Sequence, residues 1–165
     1  MNPRNDLTRE DVAKILIYDQ ETGVFTWRAN YHKRRIGGVA GGVNNTGYRH
    51  IRIGSGRYLE HRLAWLLVHG ELPAGMLDHI NGNRLDNRIA NLRLADCTQN
   101  AYNRKKKRDN TSGKKGVSVN QERHRARINV NGKTFHLGYF STMEDADRAV
   151  RQARESMHGE FSSHG

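Results

Sequence analysis

The chain has 165 residues, 35% of them hydrophobic, with 28 Lys and Arg against 17 Asp and Glu, a formal net charge of +11. A mean hydropathy of −0.88 and a pI of about 10.2 leave too little apolar material for one thick core, and two small modules fit better. No apolar run approaches the ~20 residues that span a bilayer, MNPRNDLTRE lacks the apolar stretch of a secretory signal, and the single Cys97 excludes an internal disulfide and a multi-cysteine zinc site. The expectation is an intracellular protein that is not secreted, has no membrane partner and meets a polyanion, with nucleic acid as the leading candidate.

Taken in chain order, Leu7 to Tyr18 predicts a short helix capped by Thr8, with Asp11 completing a weak capping box. A turn over Asp19 to Gly23 leads into a strand at Val24 to Trp27. Gly37, Gly38, Gly41 and Gly42 mark a loop; they lack the Lys-Ser/Thr ending of a phosphate-cradling P-loop. Tyr48 to Ile53 alternates as a strand, Gly54 to Gly56 turns it, and Leu59 to His69 is a helix with Leu63, Leu66 and Leu67 in the core. Met76 to Ile80 is a short strand ending in Asp78-His79. The turn formers Asn81, Gly82, Asn83, Asp86 and Asn87 follow, then a second extended segment at Ile89 to Leu94. Asp96 or Thr98 caps a helix through Tyr102.

The charge is concentrated beyond this point. Between Asn103 and Arg127 ten Lys and Arg face only Asp109 and Glu122, so most of the net charge lies in this short segment. Residues 104–111 read as an exposed basic linker. In the second module Gly116 to Asn120 and Arg125 to Val130 alternate. Arg125, Arg127 and Asn129 share one face, and Ala126, Ile128 and Val130 share the other. Asn131-Gly132 is a hairpin turn. Lys133 to Phe140 follows, with Phe135 and Leu137 inward and Thr134 and His136 outward. Ser141 or Thr142 caps a last helix whose first turn holds Glu144 and Asp145. The pattern predicts a three-stranded antiparallel sheet packed on one helix, its wet face carrying Arg, Asn and His.

The string DHINGNRLDNRIANLRLADCTQN, residues 78–100, holds the chemistry. A carboxylate oxygen from Asp78 and an amide oxygen from Asn100 suit a hard cation such as Mg²⁺ or Mn²⁺, with waters completing the shell. A histidine beside them could take a proton from an attacking water. Neighbouring strand residues face opposite sides, so the backbone is expected to bend at Asp78-His79. Taken singly, these residues are also ordinary turn formers, and Asn91 could simply cap a turn. His61 is read as a buried structural histidine; His32, His50, His69 and His164 belong to no constellation.

This string, the preceding EHRLAW (Glu60 to Trp65) and the opening YDQETGVFTW (Tyr18 to Trp27) resemble the HNH (ββα-metal) nucleases, most closely the phage and intron homing-endonuclease branch, over roughly residues 7–105. The resemblance implies His79 as general base, Asn91 as the asparagine that orients it, and Asp78 and Asn100 as ligands of one divalent metal. Asn100 stands where many members carry a last histidine. Residues 112–163 resemble the Apetala-type (ethylene-response-factor) DNA-binding domain through Gly116-Val117, Ala126-Arg127-Ile128, Leu137-Gly138-Tyr139-Phe140, Glu144-Asp145-Ala146 and His158-Gly159. That family lays its sheet into the DNA major groove. Here the matching outward residues are Lys115, Ser118, Asn120, Arg125, Arg127, Asn129, Thr134 and His136, with Lys114 and the linker residues Arg104, Lys105, Lys106 and Lys107 added as phosphate contacts.

The resulting expectation is an α+β chain: an HNH nuclease module over residues 1–103 with its catalytic hairpin-helix at about 76–105, a linker at 104–111 and the DNA-binding domain at 112–163. The implied function is a metal-dependent DNA endonuclease acting on double-stranded DNA as a monomer or weak dimer in the cytoplasm or nucleoid of a bacterial host. The alternative is a non-catalytic DNA-binding regulator on an HNH scaffold.

Overall fold

The computed structural model describes residues 7–31, 34–103 and 110–162, so Arg104, Lys105, Lys106 and Lys107 lie outside the described residues. The chain packs as two compact units, Met1–Ala95 and Asp96–Gly165. Among the described residues it is a mixed α/β protein of four α-helices and four small antiparallel sheets.

In the first unit Thr8 caps α1 (Arg9–Ile15) through the full capping box with Asp11. The helix expected to reach Tyr18 stops at Ile15. Leu16–Tyr18 instead forms β1 against β2 (Phe25–Trp27), where the ladder and the burial of Leu16, Phe25 and Trp27 outweigh helix propensity. β3 (Gly42–Val43), β4 (Arg49–Ile53) and β5 (Gly56–Leu59) make a three-stranded sheet. The short β5 is absent from the sequence expectation, because four residues opening Gly-Arg show no readable alternation. α2 (Glu60–His69) buries Leu63, Ala64 and Leu66 in one core with Val12, Leu16, Phe25, Trp27 and Ile51. Arg62, in its first turn, donates to the carbonyls of Pro73 (3.1 Å) and Gly75 (3.3 Å) and so fixes the entry to the next strand. That strand is β6 (Met76–His79), paired with β7 (Leu92–Ala95) after a 3₁₀ turn at Ile89–Asn91.

In the second unit Asp96 caps α3 (Cys97–Tyr102) in a capping box with Gln99. β8 (Val117–Asn120), β9 (Arg123–Val130) and β10 (Lys133–Phe140) form a sheet in the order β10-β9-β8. α4 (Met143–His158), capped by Thr142, packs on it through Ala146 and Val150 against Val117 and Ala126. Asn131 and Gly132 both take positive φ, 50° and 76°, as a two-residue hairpin turn of this twist requires. Tyr102 ties α3 into this unit. Its ring stacks on His158 at 3.7 Å, and its hydroxyl donates to Asn131 Oδ1 (2.9 Å) and accepts from Asn131 N (2.8 Å).

One inward residue differs from expectation. Phe135 lies opposite Ile128 on β9, yet it is 45% exposed, because this end of the edge strand lies away from the small core that Leu137 and Phe140 close.

Candidate functional site

The β6–β7 hairpin carries Asp78 and His79, both buried. The ladder runs without a register shift from Met76↔Ala95 to His79↔Leu92, so the expected bend within the strand is not present. The two side chains have different hydrogen-bond partners. Asp78 meets Arg93, its partner across the ladder, whose Nε and Nη2 donate to Asp78 Oδ2 at 3.0 and 2.9 Å. His79 faces a group of buried polar and aromatic side chains. Its Nε2 lies 3.1 Å from Asn87 Oδ1. The His61 ring meets it edge-on at 5.1 Å, and Tyr48 lies at 6.0 Å. The Arg84 guanidinium sits 4.7 Å over the Tyr48 ring and donates to the carbonyl of Thr46 at 2.9 Å.

Behind His79 the polar chain continues inward. Asn87 Nδ2 donates to Glu60 Oε2 at 3.2 Å, and Arg49 Nε donates to the same oxygen at 2.8 Å. Glu60 is fully buried at the first position of α2. Gly41 makes room for it: at φ +81° it passes so close that a Cβ there would fall on Glu60 Oε1.

Burial sets the electrostatics. It pulls the His79 imidazole below its ordinary pKa, opposed by the Asn87 bond and the Asp78 and Asp86 carboxylates. This favours the neutral ring, the form that can accept a proton. His61, more deeply enclosed and facing His79 and Arg62, is pushed down to about 3. Burial raises Glu60, and its bonds from Arg49 and Asn87 work the other way.

Asn91 organises the loop between the strands. Its Oδ1 accepts from Asn81 N (3.0 Å), and its Nδ2 donates to Asn81 Oδ1 (3.1 Å) and to the carbonyl of Asp86 (2.8 Å). Its own carbonyl accepts from Ile80 N, next to His79, at 2.9 Å. Asn100 lies half-buried on α3, in the second unit. Among the described residues no group of three or more His, Cys, Asp or Glu could hold a metal. Asp78 offers a carboxylate oxygen, a donor that suits a hard cation keeping most of its waters rather than a zinc-type site.

On the sheet of the second unit the cross-strand pairs Ser118↔Arg125, His136↔Arg127 and Thr134↔Asn129 bring six of the expected DNA-contacting residues onto one face. Arg127, Asn129, Thr134 and His136 are exposed, while Ala126 and Ile128 between them are buried. Asn120 is exposed at the end of β8, opposite Arg123. Lys114 pairs with Asp147 at 3.4 Å, and the half-buried Lys115 donates to the Tyr102 carbonyl at 2.9 Å, its pKa drawn down to about 8 by burial and Arg154.

Several residues near these features escape sequence reasoning. Asn87 and Glu60 are one: a turn former and a helix-start acid, joined only by the fold. Tyr139 is another. Strict alternation would place it inward with Leu137, but a bulge between His136 and Gly138 turns it out, opposite Arg125 and 51% exposed.

Residues 58–102 match the HNH endonuclease family. Protein 3.8 of Escherichia phage T7 is 36% identical over 105 residues, covering 62% of this chain and 86% of that protein. An uncharacterized HNH endonuclease of Acanthamoeba polyphaga mimivirus is 32% identical over 111 residues, 66% of this chain and 57% of its own. The SPbeta prophage protein YosQ of Bacillus subtilis, named for an HNH homing endonuclease, is 30% identical over 95 residues, 57% of this chain and 55% of its own. The chain thus spans just over half the length of the last two. No solved structure matches it. Residues 58–102, from β5 into α3, thus form a domain of the HNH endonuclease family.

Proposed function

We propose that the chain is a metal-dependent DNA endonuclease of the homing type. The observation that carries this reading is the buried His79, kept neutral by its surroundings and hydrogen-bonded to Asn87, on the hairpin of an HNH domain. His79 acts as general base and takes a proton from the water that attacks the scissile phosphate. Asp78 would supply a carboxylate ligand to one Mg²⁺ or Mn²⁺, which would stabilise charge on the phosphate and the leaving oxygen. Arg93, bonded to one oxygen of Asp78, orients that carboxylate. Asn91 keeps the loop after His79 in shape.

The second unit serves as the DNA-holding module in this reading, an Apetala-like domain whose sheet enters the major groove. Arg125 and Arg127 suit guanine, and Asn120 and Asn129 suit adenine; Ser118, Thr134 and His136 complete the face. Support comes from the exposed polar row on the sheet face away from α4. The basic residues 104–107 and Lys114 track phosphates, whereas Lys115 braces Tyr102. With one site per chain, the protein cuts as a monomer or weak dimer on DNA.

The test is sequencing of cleavage sites on a randomised double-stranded DNA library with Mg²⁺ or Mn²⁺. Defined cut positions support the endonuclease. Tight binding with no cutting on any sequence supports a non-catalytic DNA-binding regulator instead.

A further inference from the structure

We propose that Asn87, oriented by Glu60, is a positioning residue that locks the His79 imidazole in its Nε2–H tautomer. The proposal rests on the reading of His79 as the general base, and extends it to residues that the HNH pattern leaves unassigned.

The direction of each hydrogen bond follows from chemistry. Glu60 Oε2 receives Arg49 Nε at 2.8 Å, so it is an acceptor. The group that Asn87 turns towards that oxygen, 3.2 Å away, must therefore be its NH₂. The amide carbonyl then faces His79, and a carbonyl only accepts. Nε2, at 3.1 Å, must carry the hydrogen, and the basic lone pair of the neutral ring lies on Nδ1. A flipped amide would set its oxygen against the carboxylate. The tautomer of His79 is thus dictated from Arg49, through Glu60 and Asn87.

The surroundings leave Asn87 little freedom. It is 1% exposed. The Tyr18 hydroxyl donates to its carbonyl at 2.7 Å. Gly23 packs so closely that a Cβ there would lie 2.7 Å from the Asn87 carbonyl carbon and 2.5 Å from Arg88 N. The N-terminal hairpin β1–β2 therefore clamps the backbone whose side chain holds His79.

The arrangement is also expensive for the fold. A fully buried carboxylate with Oε1 unpartnered, admitted only by a glycine at position 41, stabilises less than apolar residues of the same volume would. Such a departure from good packing is characteristic of a functional site.

The experiment is ¹⁵N–¹H correlation NMR of the histidine side chains in the full chain near pH 7.5, with His79 assigned by its loss in His79→Gln. Cleavage kinetics are measured in parallel. The wild type is expected to show a single Nε2–H tautomer at His79. In Asn87→Ala and Glu60→Gln that single state is expected to give way to a mixture or to the Nδ1–H form, with kcat falling about 10–100-fold and KM for DNA nearly unchanged. A wild-type His79 that is Nδ1–H or mixed would overturn the proposal without recourse to any variant. So would folded variants that keep the wild-type tautomer. Failure of the base assignment shows separately, as undiminished cutting by His79→Ala, because the tautomer is read from the ring signals alone.

Discussion

Arg93 grips a single oxygen of Asp78 twice, through Nε at 3.0 Å and Nη2 at 2.9 Å, directly across the β6–β7 ladder. The carboxylate side chain is 7% exposed and the guanidinium 13%. Removing the cation would break both of these bonds to a buried carboxylate. Arg93→Ala is therefore expected to lower stability by about 3 kcal/mol in urea unfolding, and Arg93→Lys to recover only part of it, since an ammonium cannot match the two-nitrogen fork. A loss below about 1 kcal/mol would place the pair with weak surface ion pairs instead.

Gly41 is a second point of fragility. A methyl group there would strike Glu60 Oε1, lie 2.8 Å from the His50 carbonyl oxygen, and require φ of +81° in a residue with a Cβ. Gly41→Ala is expected to cost about 1–3 kcal/mol, seen as a lower midpoint in thermal unfolding by circular dichroism. An unchanged midpoint would mean that the Glu60 enclosure is loose.

His61 gives the fold a pH dependence whose sign is fixed. Burial first, then His79 and Arg62, bring its pKa from 6.5 down to about 3. The folded chain keeps the ring neutral while the unfolded chain protonates it below pH 6.5, so the unfolded state binds more protons. Its contribution is present above pH 6.5 and is lost as pH falls towards 3, at a limiting slope of about 1.4 kcal/mol per pH unit. His61→Gln is expected to flatten the stability curve in that window relative to wild type. Parallel curves for the two proteins would contradict this.

In the proposed reading, the exposed face of the β8–β10 sheet contacts base edges. Arg127→Ala in the full chain is expected to weaken DNA binding and to relax the preference for guanine at one position. Asn129→Ala is expected to leave the slope of log K against log salt alone and relax base preference at one position. Wild-type affinity and base preference in Arg127→Ala would remove this face from the DNA interface.

Local signals were legible where local chemistry decides structure. Thr8 with Asp11 forms the capping box that starts α1, Asp96, one of two expected caps, starts α3, and Asn131-Gly132 makes the hairpin. The string from Asp78 to Asn100 pointed to the HNH domain that the family match covers. What escaped depends on distant parts of the chain. Leu16–Tyr18 leaves the helix because β2 is there to pair with it. Tyr139 turns outward through a one-residue bulge that no periodicity reveals. Asn87 reads as one more turn former in NRLDNRI until Glu60, 27 positions earlier, and His79 are found on either side of its amide.

The central claim is that His79 is the proton acceptor of a DNA-cutting site, and supercoiled-plasmid cleavage in Mg²⁺ or Mn²⁺ tests it most directly, with wild type and a folded His79→Ala protein side by side at equal DNA binding. The account predicts cutting by the wild type and a loss of at least about 100-fold in the variant. Equal cutting by both would contradict it.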